Sequence, residues 1–497
     1  MTGRPPTRRA LWCLAVAALL TACGAAPGPK PPNLLIVSLD AMRYDAMSSA
    51  GNPHSTSPFL DRLGEESVVF TQAITSFPGT TASMPSLMTG LWPSFEGVPQ
   101  WNPDTWNGFW DLKSPEERGT KGLTDNVTTL AEILSARGWQ TAGFNTNPFL
   151  GASFNFNQGF AHFEQFLPYL AKLRQERPDA LQPSYPPADV VLRAALQWIR
   201  QAGDQPWFVW IHLMEPHSPY QPPEPLNRAY PWPWTGASDL EVNQALYHRL
   251  FARRGHAQAA ERPSAEDLGL SLEQAVLHAR GLYEGEVAFA DRQMEGFVGE
   301  LRRAGDLDRT LLVVTADHGE EFLDHGHVFH DLSQPGYEEL IRIPLIVRFP
   351  DGFGAGTRIE NQVRMVDVAP SLVSQLGMPE VAATMSGRDL TPLIEGVDTA
   401  DRPAFISAPG YGIVRTPEWK LRIWRDGRPA ELYRITDDPL EGTDVASTHA
   451  EVRDRLLDQA LEFASTLRSR GELAPASESP TLSEETREQL EALGYTD

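Results

Sequence analysis

A buried strand that ends in a carboxylate and an imidazole is the feature that most constrains this fold. The run LLVVTA, Leu311–Ala316, is apolar and rich in β-branched residues, which predicts a strand covered on both faces. Asp317 and His318 follow directly, and ligands in α/β folds bind at the carboxyl ends of strands. Four of the chain's 12 histidines lie between His318 and His330. The segment is either a polar loop with incidental histidines or half of a metal site whose other ligands lie elsewhere.

Two further apolar runs also have polar side chains at or just after their carboxyl ends. NLLIVSLD, Asn33–Asp40, indicates a buried parallel strand with Asp40 at its carboxyl end. PWFVWIHL, Pro206–Leu213, indicates another buried strand, and His217 follows shortly after it. Asp40 could instead be a helix cap, but its position at a strand end favours a role as a ligand.

A hydroxyl-rich segment, Phe77–Gly90, is predicted to be a loop between these strands. It contains Thr80, Thr81, Ser83 and Ser86. A hydroxyl is a weak nucleophile unless a metal or a base lowers its pKa, so one of these groups is a candidate if acids and histidines converge on it. The alternative is that the hydroxyls cap the N-terminus of a helix.

Strands that alternate with helices predict an α/β fold with a mainly parallel sheet covered by helices on both faces. An amphipathic helix is expected at Ala188–Ala202, and Leu268–Ala304 is also expected to be helical. Between them, Pro222–Ala260 is rich in Pro and Trp and is expected to be an irregular insertion that lines one side of the cleft. The predicted catalytic domain spans residues 33–377.

The pattern changes after about Gly377. Ile406–Trp424 and Glu431–Thr436 are expected to form short antiparallel strands, and Thr443–Gly471 is expected to be mostly helical. We therefore predict a smaller C-terminal α+β subdomain at residues 378–470. Residues 471–497 are expected to form an acidic tail with a capped helix.

The composition argues against some partners. The formal net charge is -23 and the pI is about 5.0, whereas nonspecific binding to nucleic acid or to an anionic membrane needs a basic surface. Nucleic acid is therefore not an expected partner.

The N-terminus resembles a bacterial lipoprotein leader. Arg4, Arg8 and Arg9 precede a short apolar run, and Leu20-Thr-Ala-Cys23 resembles a lipobox. Residues 1–22 would then be a signal peptide, Cys23 the lipidated residue, and residues 23–32 a Pro-rich tether. The alternative is an ordinary signal peptide with a chance cysteine. The lipoprotein interpretation predicts an exported protein, held at the periplasm or cell surface by a lipid anchor alone.

The chain resembles the sulfatase family of the alkaline phosphatase superfamily over nearly all its mature length. Matching segments follow the family's order, from NLLIVSLDAMRYD and SPFLDRLGEESVVFTQA through WIHLMEPHSPY and TADHGEEFLDHG to YEELIRIPLIVRFP and VRTPEWKLRIW. The resemblance implies that family's mainly parallel sheet flanked by helices, with a smaller C-terminal antiparallel sheet.

The resemblance also implies a set of site residues. Asp40, Asp317, His318 and the oxygen of the nucleophile would hold one divalent cation, expected to be Ca²⁺, Mg²⁺ or Mn²⁺, with Zn²⁺ also possible. His217 and His330 match positions that contact the ester or protonate its leaving group. Asn147, His325 and Ser83 are further candidates for contact with the substrate.

The chain departs from the family at the nucleophile. Classical sulfatases carry a Cys-x-Pro-Ser-Arg motif whose first residue becomes formylglycine. Aligning the downstream Thr89-Gly90 places Thr80 at that position, with Ser83 at the motif's Ser, although Ser83 and Thr81 remain alternative nucleophiles. The residue after Asp40 is Ala41, where many members have a second acid. These features resemble the phosphodiesterase, phosphonate hydrolase and phosphoethanolamine transferase branches more than the arylsulfatases.

The resemblance implies that the partner is a small-molecule, glycan or lipid substrate that carries an anionic ester. Three functions follow as hypotheses. The first is a metal-dependent hydrolase of sulfate, phosphate or phosphonate esters that works through a covalent ester on Thr80. The second is a transferase that moves a phospho-alcohol group onto an envelope lipid or glycan. The third is a surface binding protein that keeps the fold without catalysis.

Overall fold

The computed structural model describes residues 31–93, 123–166, 169, 172 and 185–470, except 124, 126, 256–258, 261, 331–334, 409 and 425. The predicted signal peptide, Cys23, most of the tether and the predicted tail helix lie outside the described residues. Within them, no helix combines the length and the apolar character needed to cross a membrane.

The described residues form a large mixed sheet, a smaller antiparallel sheet and a two-stranded ribbon. The strands are β1 Asn33–Leu39, β2 Val68–Ile74, β3 Gln140–Asn145, β4 His162–Glu164, β5 Trp207–Leu213, β6 Thr310–Ala316, β7 Glu321–Phe322, β8 Val328–Phe329, β9 Arg342–Arg348, β10 Arg358–Ile359, β11 Val363–Arg364, β12 Ala404–Ala408, β13 Tyr411–Arg415, β14 Trp419–Trp424 and β15 Glu431–Arg434.

The strand order of the large sheet is β10-β2-β9-β6-β1-β5-β3-β4, and β11 extends β2. Among these described strands, β9 is antiparallel to β2 and β6, and the other pairings are parallel. Every residue of β1, β5 and β6 is buried, as expected for parallel strands covered by helices on both faces. The predicted α/β class and mainly parallel sheet are therefore confirmed.

Helices cover the two faces of this sheet and pack on the smaller one. They are α1 Pro58–Glu65, α2 Thr80–Thr89, α3 Leu130–Ser135, α4 Ala188–Ala202, α5 Asp239–Arg254, α6 Leu272–Ala304, α7 Glu338–Ile341, α8 Val368–Gln375, α9 Pro379–Ala382, α10 Thr391–Ile394 and α11 Ala450–Arg470. The α4 helix has the predicted bounds. The α6 helix begins later than predicted because Ser271 and Gln274 form a capping box at its start.

The prediction of a loop over Phe77–Gly90 was wrong, because Thr80–Thr89 is the helix α2. Gly79 precedes the helix, and Gly90 ends it in the left-handed region at φ 67°. The hydroxyls of Ser86 and Thr89 donate to the carbonyls one turn back, so the polar side chains are satisfied inside the helix.

The prediction of an irregular insertion over Pro222–Ala260 was also wrong, because this segment contains the helix α5. Ser238 and Glu241 form a capping box at its start, and Gly255 ends it at φ 73°. The capping residues are a local signal for a helix. The prediction of an irregular segment followed from its composition, which the neighbouring prolines and tryptophans dominate.

The smaller sheet has the order β12-β13-β14-β15 and is antiparallel throughout, as predicted. Helix α11 packs on it, with the rings of Phe405 and Phe463 stacked at 3.9 Å. A separate apolar cluster joins this sheet to the end of β2 and includes Ile74, Phe77 and Ile413.

A buried ion-pair network also spans this junction. Glu338 lies 3.0 Å from Arg415 and 3.6 Å from Lys420, and Lys420 lies 2.6 Å from Glu441. Burial would raise the pKa of Glu338, but the charges of Arg415 and Lys420 lower it to about 2. The ionised form of Glu338 is therefore stabilised by folding.

We expect Glu338→Gln to destabilise the protein at pH 7 by about 3 kcal/mol. Because folding lowers the pKa of Glu338 from 4.5 to about 2, this stability is present above pH 4.5 and is lost as the pH falls through that window. Urea unfolding of wild type and variant between pH 7 and pH 3.5 should show the difference narrowing with acid. Glu418→Gln removes an exposed partner of Arg434 and is the control, with little expected effect on stability. An equal loss of stability in Glu418→Gln, or a difference between wild type and Glu338→Gln that does not change with pH, contradicts the stabilising role of ionised Glu338.

Candidate active site

The candidate site lies at the carboxyl ends of β1 and β6. These neighbouring strands pair in register with Leu39 beside Ala316, so Asp40, Asp317 and His318 leave the sheet side by side. Their ligand atoms all lie within 4.8 Å of one another, and the three side chains are fully buried. The structure thus brings together the three residues that the strand ends and the family resemblance predicted as metal ligands.

Hydrogen bonds occupy one oxygen of each aspartate and leave the other without a donor. Oδ2 of Asp40 accepts from Nδ2 of Asn147 at 2.6 Å and lies 3.0 Å from Nε2 of His212. Oδ1 of Asp317 accepts from the backbone N–H groups of Ala41 and His318. Oδ1 of Asp40 and Oδ2 of Asp317 accept no hydrogen bond although both are buried.

The imidazole of His318 completes this arrangement. Its Nδ1 lies 2.7 Å from the carbonyl of Gly319, which fixes the proton on Nδ1. Its Nε2 lies 3.4 Å from Oδ2 of Asp317 and 3.7 Å from Oδ1 of Asp40. Three atoms therefore converge on one point: two buried carboxylate oxygens that accept no hydrogen bond, and one imidazole nitrogen. This set of ligand atoms fits a divalent cation.

The charges inside the site influence one another. Burial would raise the pKa of Asp40, but the charge of His217 and the hydrogen bond from His212 lower it well below its usual range. Burial opposes protonation of His318, yet Asp317 and Asp40 raise its pKa. Asp40 is therefore ionised at neutral pH and presents a negative charge at the site.

Thr80 is the first residue of α2 and lies beside the metal-ligand candidates. Its Oγ1 is 3.3 Å from Nε2 of His318, and its side chain is buried. The first-turn N–H groups of a helix point outward and favour an anion there. Ser83 donates its hydroxyl to the carbonyl of Thr80, so its hydroxyl is used within the helix.

The two predicted substrate-contacting histidines lie next to this centre. The ring of His330 is 4.3 Å from that of His318 and 4.9 Å from that of His217. Nδ1 of His330 is 2.8 Å from Oε1 of Glu320, and Oε2 of Glu320 accepts from the hydroxyl of Tyr220 at 3.0 Å. The Glu320 carboxylate therefore orients the His330 ring.

The other predicted members of the site make different contacts. Asn147 supports Asp40, as described above, and its Oδ1 caps the short helical turn that starts at Pro148. His325 stacks on Tyr337 at 3.5 Å with the rings nearly parallel, and its Nε2 lies 3.4 Å from Glu339.

Sequence reasoning missed His212 and Glu320. His212 lies within β5, where its Nδ1 is 2.8 Å from Oγ of Ser38 and its Nε2 faces Asp40. An imidazole inside an apolar, fully buried strand needs a hydrogen-bond partner, and that requirement was a usable signal. Glu320 gave no such signal, because its partners come from Tyr220 and His330.

Comparison with known proteins identifies the family. A model of the sulfatase family matches residues 32–378. The chain belongs to the sulfatase family. A second model, for the C-terminal part of N-sulphoglucosamine sulphohydrolase, matches residues 326–465 of this sulfatase. The family assignment makes the protein an ester hydrolase of the sulfatase fold, as the sequence resemblance implied.

Individual relatives are distant from this sulfatase but extend over most of its length. Arylsulfatase K of Bos taurus is 24% identical over 479 residues, which cover 87% of this chain and 81% of the relative. The crystal structure of the phosphonate monoester hydrolase of Agrobacterium radiobacter has a TM-score of 0.65 at 22% identity, covering 91% of this chain and 99% of the other. A protein solved with its substrate D-glucosamine-2-N,6-O-disulfate has a TM-score of 0.64 at 19% identity, covering 90% and 100%.

Proposed function

We propose that this sulfatase hydrolyses anionic sulfate, phosphate or phosphonate esters through a covalent ester on Thr80. The observation that carries the proposal is the contact of Oγ1 of Thr80 with Nε2 of His318 at 3.3 Å, beside two buried carboxylate oxygens that lack donors. A divalent cation bound by Asp40, Asp317 and His318 would supply Lewis-acid stabilisation of the Thr80 oxygen and of the ester oxygens.

The chain's own residues provide the remaining parts of the reaction. Oγ1 of Thr80 releases its proton to water and forms the bond to phosphorus or sulfur, and the bond to the leaving-group oxygen breaks. His217 and His330 lie beside the site, where His217 donates the proton that the leaving group needs and His330 donates a hydrogen bond to an ester oxygen. Water then cleaves the ester on Thr80, and the N-terminus of α2 stabilises the anion throughout.

Threonine favours phosphorus over sulfur in this scheme. A formylglycine nucleophile releases sulfate by elimination, but Thr80 has no second oxygen on Cβ and that route is closed to it. The ester on Thr80 must therefore be attacked directly by water, which is chemically easier at phosphorus.

The donor set favours a transition-metal ion over Ca²⁺. Asp40 and Asp317 each offer one oxygen, because hydrogen bonds occupy the other, and His318 offers a nitrogen. Ca²⁺ takes six to eight oxygen ligands, whereas imidazole with carboxylate suits Mn²⁺ and Zn²⁺. We infer that Mn²⁺ or Zn²⁺ supports activity better than Ca²⁺.

A substrate panel tests the function. Metal-depleted protein is supplied with Mn²⁺, Zn²⁺, Mg²⁺ or Ca²⁺ and assayed on 4-nitrophenyl sulfate, 4-nitrophenyl phosphate, a bis-aryl phosphodiester and an aryl phosphonate monoester. We expect the phosphodiester or phosphonate to turn over at least about tenfold faster than the sulfate, because direct hydrolysis at phosphorus is the easier route. Product analysis with an added alcohol acceptor separates hydrolysis from transfer. No turnover of any ester with any ion would overturn the proposal.

A further inference from the structure

The loop that carries His217 is held by buried groups that do not face the ester site. Tyr185 and Glu286 are both almost fully buried, and Glu286 belongs to helix α6. The hydroxyl of Tyr185 lies 3.0 Å from the backbone carbonyl of His217 and 2.9 Å from Oε2 of Glu286. Oε1 of Glu286 accepts from the backbone N–H of Gln221 at 2.6 Å. The pair thus contacts the loop backbone at His217 and again four residues later.

The number of available protons determines which group donates in each of these hydrogen bonds. The Tyr185 hydroxyl has one proton, and the His217 carbonyl can only accept, so a bond to that carbonyl uses the proton. The short contact between Tyr185 and Glu286 then needs its proton from the glutamic acid. Oε1 of Glu286 remains the acceptor for Gln221. Each of the three contacts is satisfied when Glu286 is protonated.

The surroundings of Glu286 agree with a protonated carboxyl group at this position. Burial and the nearby carboxyl of Glu215 raise the pKa of Glu286 well above its usual range, against the hydrogen bond from Gln221. Glu215 is itself buried, accepts from the N–H of Ala188 at the start of α4, and has its pKa raised to about 7 by burial. The groups that face Glu286 in the described structure are thus a hydroxyl, an amide and a second acid.

We propose that Tyr185 and protonated Glu286 are positioning residues that fix His217 for proton transfer to the leaving group. The inference rests on the proposed function, because it assumes that His217 acts on the ester. Tyr185 and Glu286 act through the backbone of the His217 loop and do not touch the reacting atoms. Displacement of a catalytic group by about 1 Å can cost about 100-fold in rate.

Substitutions at the two positions test the inference with the best ester from the substrate panel. We expect Tyr185→Phe to lower kcat by about tenfold or more, with KM within about twofold, because the proton-transfer geometry is lost while binding is kept. Glu286→Ala should behave in the same way. Glu286→Gln should keep kcat within about threefold, because its amide donates to Tyr185 and accepts from Gln221.

Two readouts separate positioning from mere destabilisation. The loss in Tyr185→Phe should grow as the leaving group becomes a poorer one, because such esters depend more on the proton from His217. Tyr185→Phe should also add nothing to the loss already caused by His217→Ala. Tyr433→Phe is the matched control, since Tyr433 is a buried tyrosine that lies 2.9 Å from Glu431 in the smaller sheet.

The outcomes are distinguishable. Unchanged kcat in Tyr185→Phe, or equal damage by Glu286→Gln and Glu286→Ala in folded protein, overturns this inference while leaving the hydrolase function intact. Unchanged kcat in His217→Ala instead overturns the role of His217 in the proposed function, and this inference fails with it. Circular dichroism and thermal melts of each variant establish that the protein is folded.

Discussion

Replacing Thr80 by Ala should reduce ester turnover by about 10⁴-fold or more while the protein stays folded. Loss of a covalent nucleophile removes the whole route, and such losses reach about 10⁶-fold in well-studied hydrolases. Among the described residues the hydroxyl makes one long contact, 3.3 Å to His318, so its removal should cost at most about 1 kcal/mol of stability. Steady-state kinetics on the best ester of the panel and a thermal melt measure the two effects.

Neighbouring hydroxyls supply the controls for this result. Ser83 donates within α2, and Ser83→Ala should therefore keep most of the activity. Thr81→Ala tests the other alternative nucleophile in the same helix turn. Thr80→Ser should recover part of the rate, since it keeps an oxygen at the same position. Full activity in Thr80→Ala, or a complete loss in Ser83→Ala, would assign the nucleophile to a different residue.

The strand ends of this fold could be predicted from sequence because their signal is local. Asp40 and Asp317 each follow a run of apolar residues, and a charged group in that position must leave the sheet at its carboxyl edge. Burial of β1, β5 and β6 on both faces confirms the reasoning. The same logic gave the α/β class and the smaller antiparallel sheet.

The partners of the residues that support the site could not be found in this way. His212, Tyr185 and Glu286 obtain their roles from partners that lie far away in sequence, in β1, the His217 loop and α6. A buried histidine or glutamate has the same local pattern whether its partner is a carbonyl, an acid or a cation. Only the packing of distant elements distinguishes these cases, because hydrogen-bond satisfaction is a property of the folded chain.

The second large effect is expected at the metal-ligand candidates. Asp317→Asn keeps an acceptor for the N–H groups of Ala41 and His318 and replaces the unpaired oxygen by an NH₂ group that cannot bind a cation. We expect ester turnover to fall by about 10³-fold or more and the bound divalent ion to be lost. Equilibrium dialysis against Mn²⁺ followed by elemental analysis measures the ion independently of activity.

The control for this substitution is Asp45→Asn. Asp45 is half exposed and pairs with Arg43, which keeps Asp324 as a second partner at 2.8 Å. This variant should retain both ion and turnover. Thr80→Ala should also retain the ion, since Asp40, Asp317 and His318 remain, yet lose turnover. If Asp317→Asn retains the ion, Asp317 is not a ligand of the metal. If Thr80→Ala retains the ion but loses turnover, Thr80 is needed for the chemical step and not for metal binding.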